Sequence, residues 1–219
     1  MGISERAQQR LAGILFLSAF LAYGIGTAMV APLIDAPEAT ALLLKERGQL
    51  ITGCALMLSN SAIVIAIGLL LKPTVARANA NTANTYVTAR VIEGVALAVG
   101  ALALMSLAFS GDALSLSHVT SAKRTNFIGY QAGMLALGLG SLPFCLLLFR
   151  QRFIPGWLAL WGLAGYAIFA TGALLELLGF SYGLTLSIPG GIFELVFGIW
   201  LFTKGVGRAD SIPTGIAAP

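Results

Sequence analysis

Long apolar runs alternate with short polar segments along the chain, and six of the runs reach the length of a membrane span. They cover residues 11–34, 49–71, 86–109, 126–149, 155–178 and 183–203. A helix needs about 20 residues to cross a hydrocarbon core of about 30 Å, so each run predicts one transmembrane helix. The first run is too long for the core of a signal peptide and is expected to remain as a helix. Residues 1–10 read as a charged leader, 35–47 and 111–125 as polar loops, and 150–157 as a tight basic turn in which Pro155 opens the next helix. Lys72-Pro73 is expected to close the second helix. The turn at 180–183 is so short that the fifth and sixth helices must be antiparallel neighbours. The fold predicted is all-α: one six-transmembrane-helix bundle over residues 1–205, followed by a disordered cytoplasmic tail at 206–219.

Composition agrees with that pattern. Hydrophobic residues make up 58% of the 219 and charged residues 10%, which leaves too little polar surface for a soluble domain of this size. The predicted partner is therefore the lipid bilayer. A net charge of +4 could point to nucleic acid, but the basic residues stand at helix ends, where membrane orientation accounts for them, and no nucleic-acid partner is expected. Both termini fall on one side. That side carries Arg6, Arg10, Lys72, Arg77, Arg150, Arg152, Lys204 and Arg208, against Lys45, Arg47, Lys123 and Arg124 opposite, which predicts N-in, C-in. Oligomeric state is not legible in the sequence.

Charge inside the spans marks the candidate chemistry. Tyr86, Arg90, Glu93 and Leu97 fall on one face of the third helix, a polar stripe that should face protein. A charge at the helix centre costs at least about 2.5–3.5 kcal/mol, so Arg90 and Glu93 need partners or water. Glu194 follows Pro189-Gly190-Gly191 in the sixth helix, with small residues on its own face. That Pro-Gly-Gly stretch either bends the helix or breaks it into the discontinuous form found at transporter sites. With the third helix starting at 86, Arg90 and Glu93 are expected one to two turns above the cytoplasmic interface, Glu194 near the midplane and Glu176 near the outer interface, staggered in depth. Tyr130 and Gln131 are expected to satisfy the polar stripe from across the bundle, and Asn60 to hydrogen-bond between helices. Small residues at Ala132, Ala136 and Gly140 predict a tightly packed fourth helix.

Several classes are argued against. The single histidine, His118, sits in a polar segment and is read as solvated, so neither a metal-dependent hydrolase nor a haem protein has its ligands, and no cofactor or metal is predicted. No serine with a base at membrane depth suggests a protease. Cys54 and Cys145 lie in apolar runs as small hydrophobes. Three readings are left: a protein that binds or moves a small solute, proton or cation through Glu194, Glu93 and Arg90; a membrane scaffold or regulatory subunit whose buried charges only fix packing; and an intramembrane lipid enzyme using the two glutamates as acid and base.

The motifs Y-V-T-A-R-V-I-E-G at residues 86–94, I-P-G-W-L-A-L-W-G-L-A-G at 154–165 and P-G-G-I-F-E-L-V-F-G-I-W-L-F-T-K-G at 189–205 also carry a family likeness. In these the chain resembles a family of small bacterial membrane proteins, domain of unknown function 4386, from the first helix to Gly205. The resemblance implies a multi-pass bacterial inner-membrane protein, and it brings no activity with it.

Overall fold

The computed structural model describes residues 4–207. Among these are seven α-helices and two single-turn 3-10 helices, with no strand. The helices are α1 (Glu5–Ile34), α2 (Ala39–Lys45), α3 (Arg47–Ala76), α4 (Ala80–Ser106), α5 (Leu116–Arg150), α6 (Gly156–Leu177) and α7 (Gly183–Thr203). All but α2 are long and apolar enough to cross a membrane, so this is a multi-pass membrane protein. The spanning helices form a closed ring. Each packs on its neighbours in the order α1, α3, α4, α5, α6, α7, and α7 returns to α1. Short connections force this up-and-down order.

Several helices start earlier than the apolar runs do, and each time a local capping group explains it. Ser4 accepts the Ala7 N–H at 3.3 Å, so the supposed charged leader is already the first turns of α1. Asn79 accepts from Thr82 N at 2.9 Å and opens α4 at Ala80. Ser115 caps α5, which makes most of the expected 111–125 loop helical and places exposed His118 in its first turn. Pro73 does not stop α3, because Thr74 and Val75 beyond it are buried, and their packing offsets the hydrogen bond that proline removes. The expected 35–47 loop contains α2, whose Ala39 and Leu43 are buried in a second core with Leu33, Leu50 and Leu104. Proline and glycines leave α7 continuous, so the discontinuous-helix alternative falls.

Close helix approach depends on glycines, and the expected ridge holds at Gly140, where a Cβ would clash with Ala89 of α4. A Cβ on Gly129 would lie 2.5 Å from the Ala96 carbonyl oxygen, and one on Gly133 would lie 3.3 Å from that of Glu93. Ala132 is only half-buried. The α4–α5 seam therefore runs through Gly129, Gly133 and Gly140, one residue away from the predicted ridge at Ala132 and on it at Gly140.

The two ends of the described chain are tied together at one end of the ring. Arg6 donates to the carbonyls of Leu201 (3.2 Å) and Thr203 (2.7 Å), which the last turn of α7 leaves without intrahelical partners. Buried Gln9 donates to Val206 O (3.2 Å) and Thr74 Oγ1 (3.4 Å) and accepts from Val206 N (3.0 Å). Gly205, at φ +79°, makes the turn that brings Val206 back. The expected tail at 206–219 thus begins with a held residue; from 208 on it lies outside the described residues. Gln9→Ala would leave both Val206 main-chain groups unpaired. The expected loss is about 1–3 kcal/mol, read as a lower unfolding midpoint in detergent.

Candidate functional site

The site grows from the face of α4 that the sequence marked. Tyr86, Arg90, Glu93 and Leu97 recur at helical spacing and are all buried. Arg90 lies ten residues, about 15 Å, into α4, and Glu194 nine residues, about 14 Å, before the end of α7. Both are near mid-depth of a core of about 30 Å. The expected stagger is therefore corrected: α4 begins at Ala80, six residues earlier than expected, which carries Arg90 inward to the level of Glu194.

Arg90 is 1% exposed and every guanidinium nitrogen has a partner. Nε donates to the Tyr86 hydroxyl at 3.1 Å, one terminal nitrogen to Glu93 Oε2 at 3.0 Å and the other to Glu194 Oε1 at 2.7 Å. Its Cζ also stands 5.2 Å from the centroid of the Phe16 ring. The stem fits because residue 68 is glycine: a Cβ there would be 3.0 Å from Arg90 Cβ. Tyr166 of α6 donates to the same Glu194 Oε1 at 2.8 Å. Four of the six spanning helices, α1, α4, α6 and α7, thus contribute to one cluster.

A cavity of about 210 Å³ borders the cluster, with Arg90, Glu93, Glu194, Asn60 and Tyr130 in its lining. All the hydrogen bonds above use Glu93 Oε2 and Glu194 Oε1. Both carboxylates border the cavity, and none of the bonds above engages Glu93 Oε1 or Glu194 Oε2. Beside the cluster, and outside the cavity's lining, a layer of aromatic rings stands in mutual contact: Tyr86 stacks on Phe144 at 4.3 Å, Phe144 meets Phe197 at 6.0 Å, and Phe197 stacks on Phe193 at 5.5 Å. A second cavity of about 400 Å³ shares Tyr23, Tyr130, Met134, Phe169 and Ser187 with the first and reaches Asn126 and Glu176. Tyr23 and Tyr130 stack across the ring at 5.5 Å, between the two.

The supporting residues part company here. Tyr86 binds Arg90, whereas Tyr130 and Asn60 line the cavity and do not hydrogen-bond to the cluster. Gln131 is buried but borders only the second cavity, so it does not satisfy the stripe. Glu176 is remote from the cluster: its Oε1 accepts the Gly183 N–H at 2.7 Å and so caps the start of α7. Sequence reasoning missed Tyr166. Its signal was a phenol midway along an otherwise apolar run, since such a hydroxyl has to find a partner in the bundle.

Ring and cluster together define a class, the multi-pass α-helical membrane proteins with ionisable groups buried at mid-bundle. Within it, the family model described as Domain of unknown function (DUF4386) matches residues 11–205, and the chain belongs to that family. No curated protein and no solved structure matches it.

Proposed function

We propose that this protein binds a proton or small cation at Glu194 and Glu93 and moves it across a bacterial inner membrane. One observation carries the reading. Two carboxylates share a single guanidinium, and both border the cavity. With all three groups ionised the cluster bears one excess negative charge in a medium that penalises charge, and a bound cation or proton removes that excess. Structural ion pairs ordinarily balance, and they exclude space.

The orientation we assign is N-in, C-in, on the balance of basic residues at the two ends, Arg208 of that count being outside the described residues. The cavities then open toward the external half, and the aromatic layer of Tyr86, Phe144 and Phe197 lies on the cytoplasmic side of the cluster. Moving the bound ion to the cytoplasm requires that layer to part.

Reconstituted liposomes carrying a pH or cation gradient test this. Flux is expected for the native protein and a fall of about tenfold or more for Glu194→Gln, with Glu93→Gln also impaired. Equal flux from native and Glu194→Gln protein would sink the assignment. One feature favours a scaffold instead: Arg90 is enclosed and fully bonded, as a purely structural charge would be. That reading expects no flux at all, together with a stability loss for Glu194→Gln.

A further inference from the structure

The cavity also has a side opening, and its walls say what kind of cation fits. α1 and α7 approach backbone to backbone near the termini, where a Cβ on Gly13 would lie 2.5 Å from the Gly198 oxygen. In its other half α1 leans on α3, with a Cβ on Gly26 2.7 Å from the Gly53 oxygen, while α7 is held to α6 at Gly190 and Gly165. The two helices therefore diverge. A Cβ on Gly24 would meet nothing within 4 Å, and one on Gly191 would meet only the Phe20 ring, at 3.6 Å.

Phe20 and Gly24 of α1, both exposed, and Ser187 and Gly191 of α7 all line the cavity, so it continues between these helices to the outer face of the ring. That face is apolar: Leu21 and Ile25 on one side and Ile188 and Ile192 on the other are exposed. The slot opens into hydrocarbon, and its inner end is the carboxylate pair with buried Asn60. Between them stand the rings of Phe16, Phe20, Tyr23, Tyr130 and Phe169. A hard inorganic cation prefers about six to eight oxygen ligands converging on one point, whereas most of these walls are aromatic or aliphatic. Aromatic faces suit an alkylammonium.

Resting on the cation-site reading above, we propose that the site takes an amphiphilic amine from the bilayer, its ammonium group on Glu93 and Glu194 and its hydrocarbon chain leaving between α1 and α7. No bond is made or broken.

Unfolding midpoints of the protein in phosphatidylcholine nanodiscs, with dodecylammonium, methylammonium, sodium or dodecyl sulfate added, test this. Dodecylammonium is expected to raise the midpoint by about 3 °C or more, and methylammonium to need at least about tenfold higher concentration for the same shift. Glu194→Gln should lose the dodecylammonium shift. Gly24→Phe, at a position with open space, should keep the unliganded midpoint and bind dodecylammonium at least about tenfold more weakly, so a poorly folding Glu194→Gln does not spoil the test. Equal shifts with methylammonium or sodium would overturn the amphiphile and leave the cation site standing. Equal shifts with dodecyl sulfate would make the tail the only determinant and overturn the proposal too. Should no cation shift the midpoint, the amphiphile falls, while liposome flux separately decides whether the site carries protons.

Discussion

Arg90→Gln is expected to lower stability by about 3–5 kcal/mol, the largest loss from any single change in the site. Three donors disappear from positions 2.7–3.1 Å from their acceptors, and Glu93 and Glu194 stay buried at mid-depth with no counter-charge. Unfolding in detergent, compared with native protein, reads the effect. Glu194→Gln should behave differently. It leaves Arg90 paired with Glu93 in a balanced one-to-one cluster, so its stability should stay within about 1 kcal/mol of native or exceed it, as neutralising a functional carboxylate often allows. The triple change Arg90→Gln, Glu93→Gln, Glu194→Gln should recover part of the Arg90→Gln loss, because no unpaired charge is then buried. An Arg90→Gln protein less than about 1 kcal/mol below native would mean the cluster is not the tightly ionised network its distances describe.

Gly129→Leu comes second, with an expected loss of about 3 kcal/mol. Its Cβ would fall 2.5 Å from the Ala96 carbonyl oxygen, a backbone atom that cannot rotate away, so α4 and α5 must separate along their seam. Overpacking ordinarily costs about 1–3 kcal/mol, and a clash with backbone belongs at the top of that range. The control is Gly24→Leu, which enters open space and should stay within about 0.5 kcal/mol of native. Because the same seam places Gly133 against the backbone of Glu93 and carries Tyr130 at the cavity wall, Gly129→Leu should also reduce any flux the native protein supports. Equal midpoints for the two leucine variants would contradict the close α4–α5 approach.

The six spans, and the face carrying Tyr86, Arg90 and Glu93, were legible in the sequence for one reason. Both depend on residues close together in the chain: a span is a length of apolar side chains, and a helix face is a spacing of three or four. A charge within such a length announces itself. Helix starts were less legible: the polar stretch at 116–125 looks like a loop until Ser115 is seen as a cap, and residues 80–85, whose Ala, Asn and Thr content allows a helix, lie outside the apolar run that marks the span. A Ser or Asn before the first turn is a local signal that apolar length does not carry.

What only the tertiary structure decided is which charges meet and what space surrounds them. Arg90 and Glu194 are 104 residues apart, and the Gln9–Val206 pairing joins residues 197 apart. No periodicity relates such positions; the closure of the ring through α1 and α7 does. The depth of Arg90 followed from where α4 begins, and the roles of Tyr166 and Glu176 from which neighbour each helix presents to them. The cavity is the clearest case. It exists because α1 leaves α7 at Gly13 to meet α3 at Gly26, and the divergence of two helices is a property of their packing partners, which no local stretch of sequence encodes.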